Sequence, residues 1–307
     1  MAVTIRPYLA TDLETLRALI AAPEIVEQFD AFAAPGALEQ KFADPHLAAS
    51  CVRLAFEDER PIGFALAWLL PQAPIGWAMV RGGVLEFARR RGIATRLVEA
   101  VFAAIEAHPG AARIRDVTGA AWLPAPAAEA LAKRLGARFD RAFWMMERPL
   151  EAPAPIVEWP SGIATRSFDG TMPMAKDWND VYLESFAQHW RFVPSSLDET
   201  LELTRGPRFD PADLRLAYRG AACVGFCRLE RHANRGEIAV LGTAPAARGI
   251  GLGRALLRWG VARLQAGSTQ PITLIVDGAN ENALRLYRSE GFSVMRTRHV
   301  WVRPPRF

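Results

Sequence analysis

The chain has 307 residues, half of them hydrophobic, and a formal net charge of +4. That is long enough for two ordinary domains with well-buried cores. No apolar run reaches the roughly 18 residues of a membrane span, since Phe64 to Leu70 is cut short by Pro71, and no basic-then-apolar leader opens the chain; a soluble, cytoplasmic protein without membrane contact is expected.

The positive charge is almost all arginine, with Lys41, Lys133 and Lys176 the only lysines. It is spread along the chain rather than clustered with aromatics, which argues against nucleic acid as a partner and mildly favours an anionic small ligand. Cys51, Cys223 and Cys227 form no C-x-x-C pair and have no nearby histidine set. Buried thiols and no metal site are expected, and on a regular strand Cys223 and Cys227 face the same side.

In chain order, Ile5 and Arg6 end a first strand, and Thr11 with Glu14 reads as a capping box opening a helix with Leu13, Leu16 and Leu19. Strands near Cys51–Phe56 and Ile62–Leu69 form a hairpin. Residues 150–160, LEAPAPIVEWP, carry the alternating prolines of a stiff linker. A further strand follows near Ile163–Arg166, then a helix around Trp178–Phe186, and then SFAQHWRFVPSSLDE, which has no counterpart earlier in the chain.

The two halves repeat. RLAFEDERPIGF from Arg53 resembles RLAYRGAACVGF from Arg215, RRRGIATRLV from Arg89 aligns with RGIGLGRALL from Arg248, and LAKRLGARF from Leu131 aligns with LYRSEGFSV from Leu286. Each half ends on an aromatic strand followed by Arg-Pro, at Arg148-Pro149 and Arg303-Pro304. The expected domains are 1–149 and 161–307, joined by the 150–160 linker, and they share one α+β fold.

The most informative stretch lies in the second copy. An apolar strand ending at Leu241, Gly242 and Thr243 leads into Arg248, Gly249, Ile250, Gly251, Leu252, Gly253 and Arg254, and a helix with Leu252, Ala255, Leu256, Trp259 and Ala262 on one face follows. Glycines at a helix N-terminus let a phosphate reach unpaired N–H groups. A dinucleotide fingerprint would need glycine at Arg254 or Leu256, and a P-loop would need Gly-Lys-Ser or Gly-Lys-Thr; what stands here is R-x-x-G-x-G, filled by Arg248, Gly251 and Gly253.

This pattern resembles the acetyl-CoA site of the GNAT superfamily of N-acetyltransferases. The following strand, Ile272–Val276, leads to Asn280, Tyr287 and the Gly291-Phe292 pair, in the order that superfamily uses. The resemblance implies two tandem GNAT domains, each a mixed, mostly antiparallel twisted sheet flanked by helices. As a tandem protein the chain resembles the mycothiol synthase group, whose C-terminal domain acetylates and whose N-terminal domain is silent.

Acetyl transfer to an amine needs a base for the ammonium, a polarised carbonyl and a proton for the departing thiolate. The resemblance assigns these to Glu237 as base, to the backbone of Leu241, Gly242 and Thr243, and to Tyr287 as acid. Arg248 with the N–H groups of Gly249 to Arg254 would hold the pyrophosphate, and Asn280 would contact CoA. Gly242 weakens an otherwise good strand and suggests a bulge or a close ligand. His189, Trp190 and Phe192 are candidates for the acceptor pocket.

In the first copy Tyr287 corresponds to Ala132, Asn280 to Ala125 and Glu237 to Ala78, while Arg89, Gly92 and Ala94 keep R-x-x-G-x-A. A silent first copy, with its cradle a candidate second acetyl-CoA site, is expected. The expected activity is acetyl-CoA-dependent N-acetylation of a primary amine on a small molecule, by a monomer or homodimer. A protein or peptide acceptor and a non-enzymatic acetyl-CoA sensor stand as alternatives.

Overall fold

A computed structural model describes residues 2–29, 36–42, 46–205, 209–232, 234–266 and 270–305. The first repeat folds as β1 (Val3–Pro7), α1 (Leu13–Ala21), α2 (Pro23–Val26), α3 (Ala37–Phe42), β2 (Arg53–Glu57), β3 (Arg60–Leu70), β4 (Gly76–Val84), α4 (Ile93–Glu106), β5 (Ile114–Trp122), α5 (Pro126–Arg134) and β6 (Arg138–Arg148). The second gives β7 (Ile163–Ser167), α6 (Met172–Phe186), α7 (Leu197–Thr204), β8 (Leu214–Arg219), β9 (Ala222–Arg231), β10 (Gly236–Thr243), α8 (Leu252–Gln265), β11 (Ile272–Asp277), α9 (Glu281–Ser289) and β12 (Ser293–Arg303).

The chain forms two compact units, and no single cut separates them: unit 1 is Met1–Ala142 with Arg298–Phe307, and unit 2 is Phe143–Thr297. The linear boundary expected at 149–161 is therefore crossed twice. In unit 1 the strands run β1-β2-β3-β4-β5, and Arg298–Arg303 of β12 closes the sheet by pairing antiparallel with Val117–Trp122. In unit 2 they run β7-β8-β9-β10-β11, closed by Phe143–Arg148 of β6 on Ile272–Asp277. Each repeat contributes its last strand to the other unit's sheet. The one parallel pair of each described sheet, β4–β5 and β10–β11, lies at the same place.

Sequence explains most of the packing. In α4, Ile93, Leu97, Val101 and Ile105 recur at helical spacing and are buried against β2–β5. In unit 2 the two faces of the sheet carry separate cores. Leu252, Leu256, Trp259 and Leu264 of α8, with Leu284 and Tyr287 of α9, cover Cys227, Leu229 and Ile238 on one face. Met174, Trp178 and Val181 of α6 cover Leu214, Leu216 and Phe226 on the other.

Two local expectations are corrected. The Thr11–Glu14 box does not open α1: Asp12 is its N-cap without a side-chain cap bond, and the Asp12 carboxylate instead accepts the Leu9 N–H at 2.7 Å and Arg6 at 2.7 and 2.8 Å. Cys223 and Cys227 face opposite sides, because the β8–β9 register slips between Ala217 and Tyr218 and leaves Val224 as an extra residue. Cys227 joins the α8 core and Cys223 the α6 core.

The proline-rich segment, expected as a stiff linker, is held on the unit 2 core by Val157 and Trp159. Arg148 pins its start, donating from Nε to the Glu290 carbonyl at 3.0 Å and from Nη2 to the Pro153 carbonyl at 2.6 Å.

The exchanged strand supplies a testable anchor. Trp301 is 9% exposed and packs with Ala121 and Ala132 of unit 1. Truncating Trp301 to alanine is expected to cost about 3–5 kcal/mol and to raise hydrogen exchange in β5 and α5, in unit 1, although position 301 belongs to the second repeat. Urea unfolding with exchange read by mass spectrometry checks it; protection lost only in unit 2 would contradict the exchange.

Candidate active site in unit 2

β10 is the strand on which the site is built. It pairs with β11 only at Gly236↔Ile272 and Glu237↔Thr273, and beyond Glu237 no further pairing with β11 follows. Its register with β9 slips between Ile238 and Val240, leaving Ala239 as a bulge. A bulge adds local twist and bends a strand, and it falls where β10 leaves β11. Backbone groups of Val240 to Thr243 on that side therefore have no pairing with β11.

Glu237 lies opposite Glu230 in register, so it projects to the α6/α7 face with Phe226 and Arg228, whereas Tyr287 lies in the α8/α9 core. Base and acid candidates thus lie on opposite faces of the sheet. Burial alone would raise the Glu237 carboxyl, but His232, and then Arg235 and Arg228, outweigh it and hold the group below the ordinary glutamate range. His232 Nε2 stands 3.0 Å and Arg235 Nε 3.6 Å from Glu237 Oε2, and Arg228 Nη1 lies 2.7 Å from Glu230 Oε1. Burial pushes the Tyr287 hydroxyl up to about 12, with Cys227 adding to the effect.

The glycine loop follows from local backbone demands. Gly249 and Gly251 sit at φ +80° and +89°, left-handed values that suit glycine, and a Cβ at either would meet open space. The first intrahelical bond runs from the Ala255 N–H to the Gly251 carbonyl at 3.1 Å, so Leu252, Gly253 and Arg254 present first-turn N–H groups at the helix start. Arg248 Nη2 donates to the Ser185 carbonyl at 3.1 Å, at the end of α6. Arg254 and Arg258 both reach the buried Glu290 carboxylate.

A cavity of about 280 Å³ adjoins this loop, lined by Glu158, Trp159, Pro160, Ile250, Gly251, Arg254, Ala255 and Arg258. The linker therefore walls the cradle, a role that its proline pattern did not disclose.

Other expected residues are placed differently. A Cβ on Gly242 would come within 2.6 Å of the Phe226 ring and 3.0 Å of Phe186 and Ser185, so the need for glycine there is set by α6 and β9 packing and not by a ligand on that side. Asn280 Oδ1 accepts the Ala283 N–H at 3.1 Å and caps α9. His189 packs on Phe186, Trp190 on Phe143 and Phe192 on Tyr182, with ring centroids 4.6, 5.7 and 5.8 Å apart.

None of those three lines the second cavity, of about 220 Å³, whose walls are Trp178 and Tyr182 of α6, Ser195, Thr200 and Leu203 of α7, Phe226 and Arg228 of β9, and Val240 of β10. The insertion supplies Ser195, and its aromatics support Tyr182. Arg228, Glu230, His232 and Arg235 were not foreseen; their one sequence signal is alternation along a hairpin whose polar residues share the Glu237 face.

Unit 1 keeps the left-handed glycine at the helix start, Gly92 at φ +75°, and differs elsewhere. β4 and β3 pair without a bulge from Gly63↔Val84 to Leu70↔Trp77. The Thr118 hydroxyl bonds the Ala78 carbonyl as Thr273 bonds that of Gly236, at 3.1 and 3.3 Å, so Ala78 matches Gly236 and the counterpart of Glu237 is Met79 rather than Ala78. The bulge residue accounts for the one-place shift. Arg90 takes φ +64° where the second copy has Gly249, and Arg89 bonds the carbonyls of Val84 and Glu24 at 3.0 and 3.1 Å. Arg91 pairs with Glu57.

The model of the acetyltransferase (GNAT) family matches residues 13–137 and 174–292. The chain belongs to the GNAT family. Its members draw acetyl groups from acetyl-CoA, and this GNAT protein is an enzyme of that kind, an N-acetyltransferase. A protein named mycothiol acetyltransferase from Thermobispora bispora is 34% identical over 250 residues, covering 78% of this chain and 79% of the relative. Another of that name, from Thermomonospora curvata, is 36% identical over 183 residues, covering 59% and 61%.

The crystal structure of a GCN5-related N-acetyltransferase from Sphaerobacter thermophilus superposes with a TM-score of 0.74 at 25% identity, covering 99% of this chain and 96% of that one. A tandem GNAT protein from the clavulanic acid biosynthesis pathway superposes at 0.69 with 19% identity, covering 99% of each chain, and shares the fold. Among the described residues no helix is long and apolar enough to cross a membrane.

Proposed function

We propose that unit 2 binds acetyl-CoA along β10 and the glycine loop and passes the acetyl group to a primary amine of a small molecule held on the α6/α7 face. The observation that supports this reading is the parting of β10 from β11 directly after Glu237, with Glu237 and Tyr287 on opposite faces of the sheet. The name shared by the curated relatives supports a small-molecule acceptor, and a 220 Å³ cavity suits a small amine better than a peptide.

Acetyl-CoA supplies an activated acetyl thioester when bound; the residues do the rest. First-turn N–H groups of α8 and the loop glycines bind its pyrophosphate, an arrangement worth about 0.3–2 kcal/mol per favourable charge. The Glu237 carboxylate, ionised at neutral pH, takes a proton from the incoming ammonium and frees the nitrogen lone pair for attack. Backbone N–H groups of β10 beyond the bulge orient the reacting carbonyl. As the C–S bond breaks, Tyr287 gives its hydroxyl proton to the departing sulfur and is made good by the proton that the newly acylated nitrogen loses.

Unit 1, with Met79 and Ala132 at the corresponding places, carries no chemistry in this reading. Titration calorimetry tests both statements: one acetyl-CoA per chain is expected. Gly251→Val places a side chain in the cradle at φ +89° and is expected to weaken binding at least tenfold, since left-handed backbone costs about 1–2 kcal/mol per non-glycine residue before any clash. Two equal sites, or binding indifferent to Gly251, would overturn the assignment to unit 2.

A further inference from the structure

The 280 Å³ cavity beside the glycine loop has a wall for which a pyrophosphate alone does not account. Gly251, Arg254, Ala255 and Arg258 are spaced three, four and seven residues from the first, so they line one face of α8 downward from its N-cap. Arg258 lies about 10 Å along the axis from Gly251. Helical side chains slant back toward the N-terminus, which brings both guanidinium groups closer to the loop.

Glu290 fixes the two arginines there. Its carboxylate, only 7% exposed, meets Arg254 Nη1 at 2.5 Å and Arg258 Nε at 2.9 Å. One carboxylate thus serves two guanidinium groups, each with five N–H donors, and one positive charge is in surplus among the three. The linker contributes Trp159 and Pro160 as apolar wall and Glu158 as an acceptor. Arg258 Nη1 also reaches the Ile156 carbonyl at 3.5 Å and ties the linker to α8. Such a wall suits a ligand that brings a flat ring and N–H or O–H donors together with a phosphate; a bare anion offers only the last.

We infer that this cavity holds the nucleoside end of the acetyl donor, its adenine ring against Trp159 and Pro160 and its 3′-phosphate on Arg254 and Arg258. The inference rests on the acetyl-CoA reading of unit 2 and makes the linker and Arg258 determinants of donor specificity. A donor that ends at its phosphopantetheine, such as an acyl thioester on a carrier protein, lacks every group this wall reads. Size agrees, since a cavity of about 150 Å³ accommodates benzene and one of about 280 Å³ has room for a purine. Position agrees as well. A donor lying along β10 with its pyrophosphate at the loop sends its nucleoside beyond the loop, and the cavity borders the loop at Ile250 and Gly251.

The test measures Kd by titration calorimetry on the full chain with CoA, 3′-dephospho-CoA and 4′-phosphopantetheine, each a truncation of the one before. CoA is expected to bind about 10- to 100-fold more tightly than dephospho-CoA, the range for hydrogen bonds to a charged group. Arg258→Gln leaves Arg254 on Glu290 and is expected to bring that ratio down to about threefold, the level of an uncharged hydrogen bond, while the dephospho-CoA Kd holds. An arginine with a merely structural role would weaken all three ligands together. Arg254→Gln, at a side chain 44% exposed, gives the same readout if the Arg258 variant does not fold.

Trp159→Leu retains an apolar side chain on the core but loses the ring face. It is expected to weaken CoA and dephospho-CoA alike, by about 5- to 100-fold, the range for a base stacked on an aromatic ring, and to leave phosphopantetheine unaffected. Equal affinity for CoA and dephospho-CoA, a ratio that survives both arginine variants, or a Trp159 effect shared by phosphopantetheine overturns the proposal. Failure to bind CoA at all would instead sink the acetyl-CoA reading beneath it.

Discussion

Tyr287→Phe is expected to lower kcat by about 10²–10⁴-fold and to leave acetyl-CoA affinity within about threefold. The ring is 9% exposed and packs on Phe292 with centroids 6.1 Å apart, and phenylalanine preserves that packing. Only the hydroxyl proton is lost. Burial pushes that hydroxyl up to about 12, so at neutral pH it is in the donor form. A thiolate set free in the same apolar surroundings is itself made more basic by burial, as the neighbouring Cys227 thiol is, which narrows the gap between donor and acceptor. Single-turnover kinetics separate this from slow product release; kcat equal to wild type would remove Tyr287 from the chemistry.

Glu237→Gln is expected to reduce kcat/KM by about 10²–10³-fold, with the deficit largest at neutral pH. Burial works to raise this carboxyl, but His232, Arg235 and Arg228 hold it below the usual glutamate range. A carboxylate lowered in the folded state stabilises the fold fully above its unfolded value, and that contribution disappears as pH falls through the lowered folded value. Wild type should therefore be the more stable protein near neutrality, and the two should converge in acid below the ordinary glutamate range. A stability gap that widens toward low pH would reverse the sign and exclude the cationic cluster as its cause.

What the sequence could disclose follows from where each feature's signal resides. The glycine turn was legible because a helix N-terminus with left-handed turns demands glycine at Gly249 and Gly251, and the helix that carries Tyr287 was legible by its place between Asn280 and the Gly291-Phe292 pair. The Ala239 bulge was not, since one extra residue in an apolar strand leaves hydrophobicity untouched, and it shifted the counterpart of Glu237 to Met79. The charged hairpin around Glu237 reads as ordinary surface until the register brings Glu230 opposite Glu237. The strand exchange left no trace for a related reason: both repeats end in similar aromatic strands before Arg-Pro, so either strand suits either sheet.

Synthesis of the chain gives that exchange a temporal meaning. Val117 pairs with Arg303, and Trp122 with Arg298, so the half made first waits for the closing strand of the second repeat to leave the ribosome. The strand that closes unit 2, at Phe143–Arg148, is already made when β11 appears. The younger half can thus finish before the older one. Until then β5 presents an open edge, the kind of surface that recruits other chains, and pairing across so long a separation is slow. Ribosome-bound chains stopped before Arg298 should show β5 and α5 sensitive to protease while unit 2 already resists; equal resistance in both would mean that unit 1 folds without its final strand.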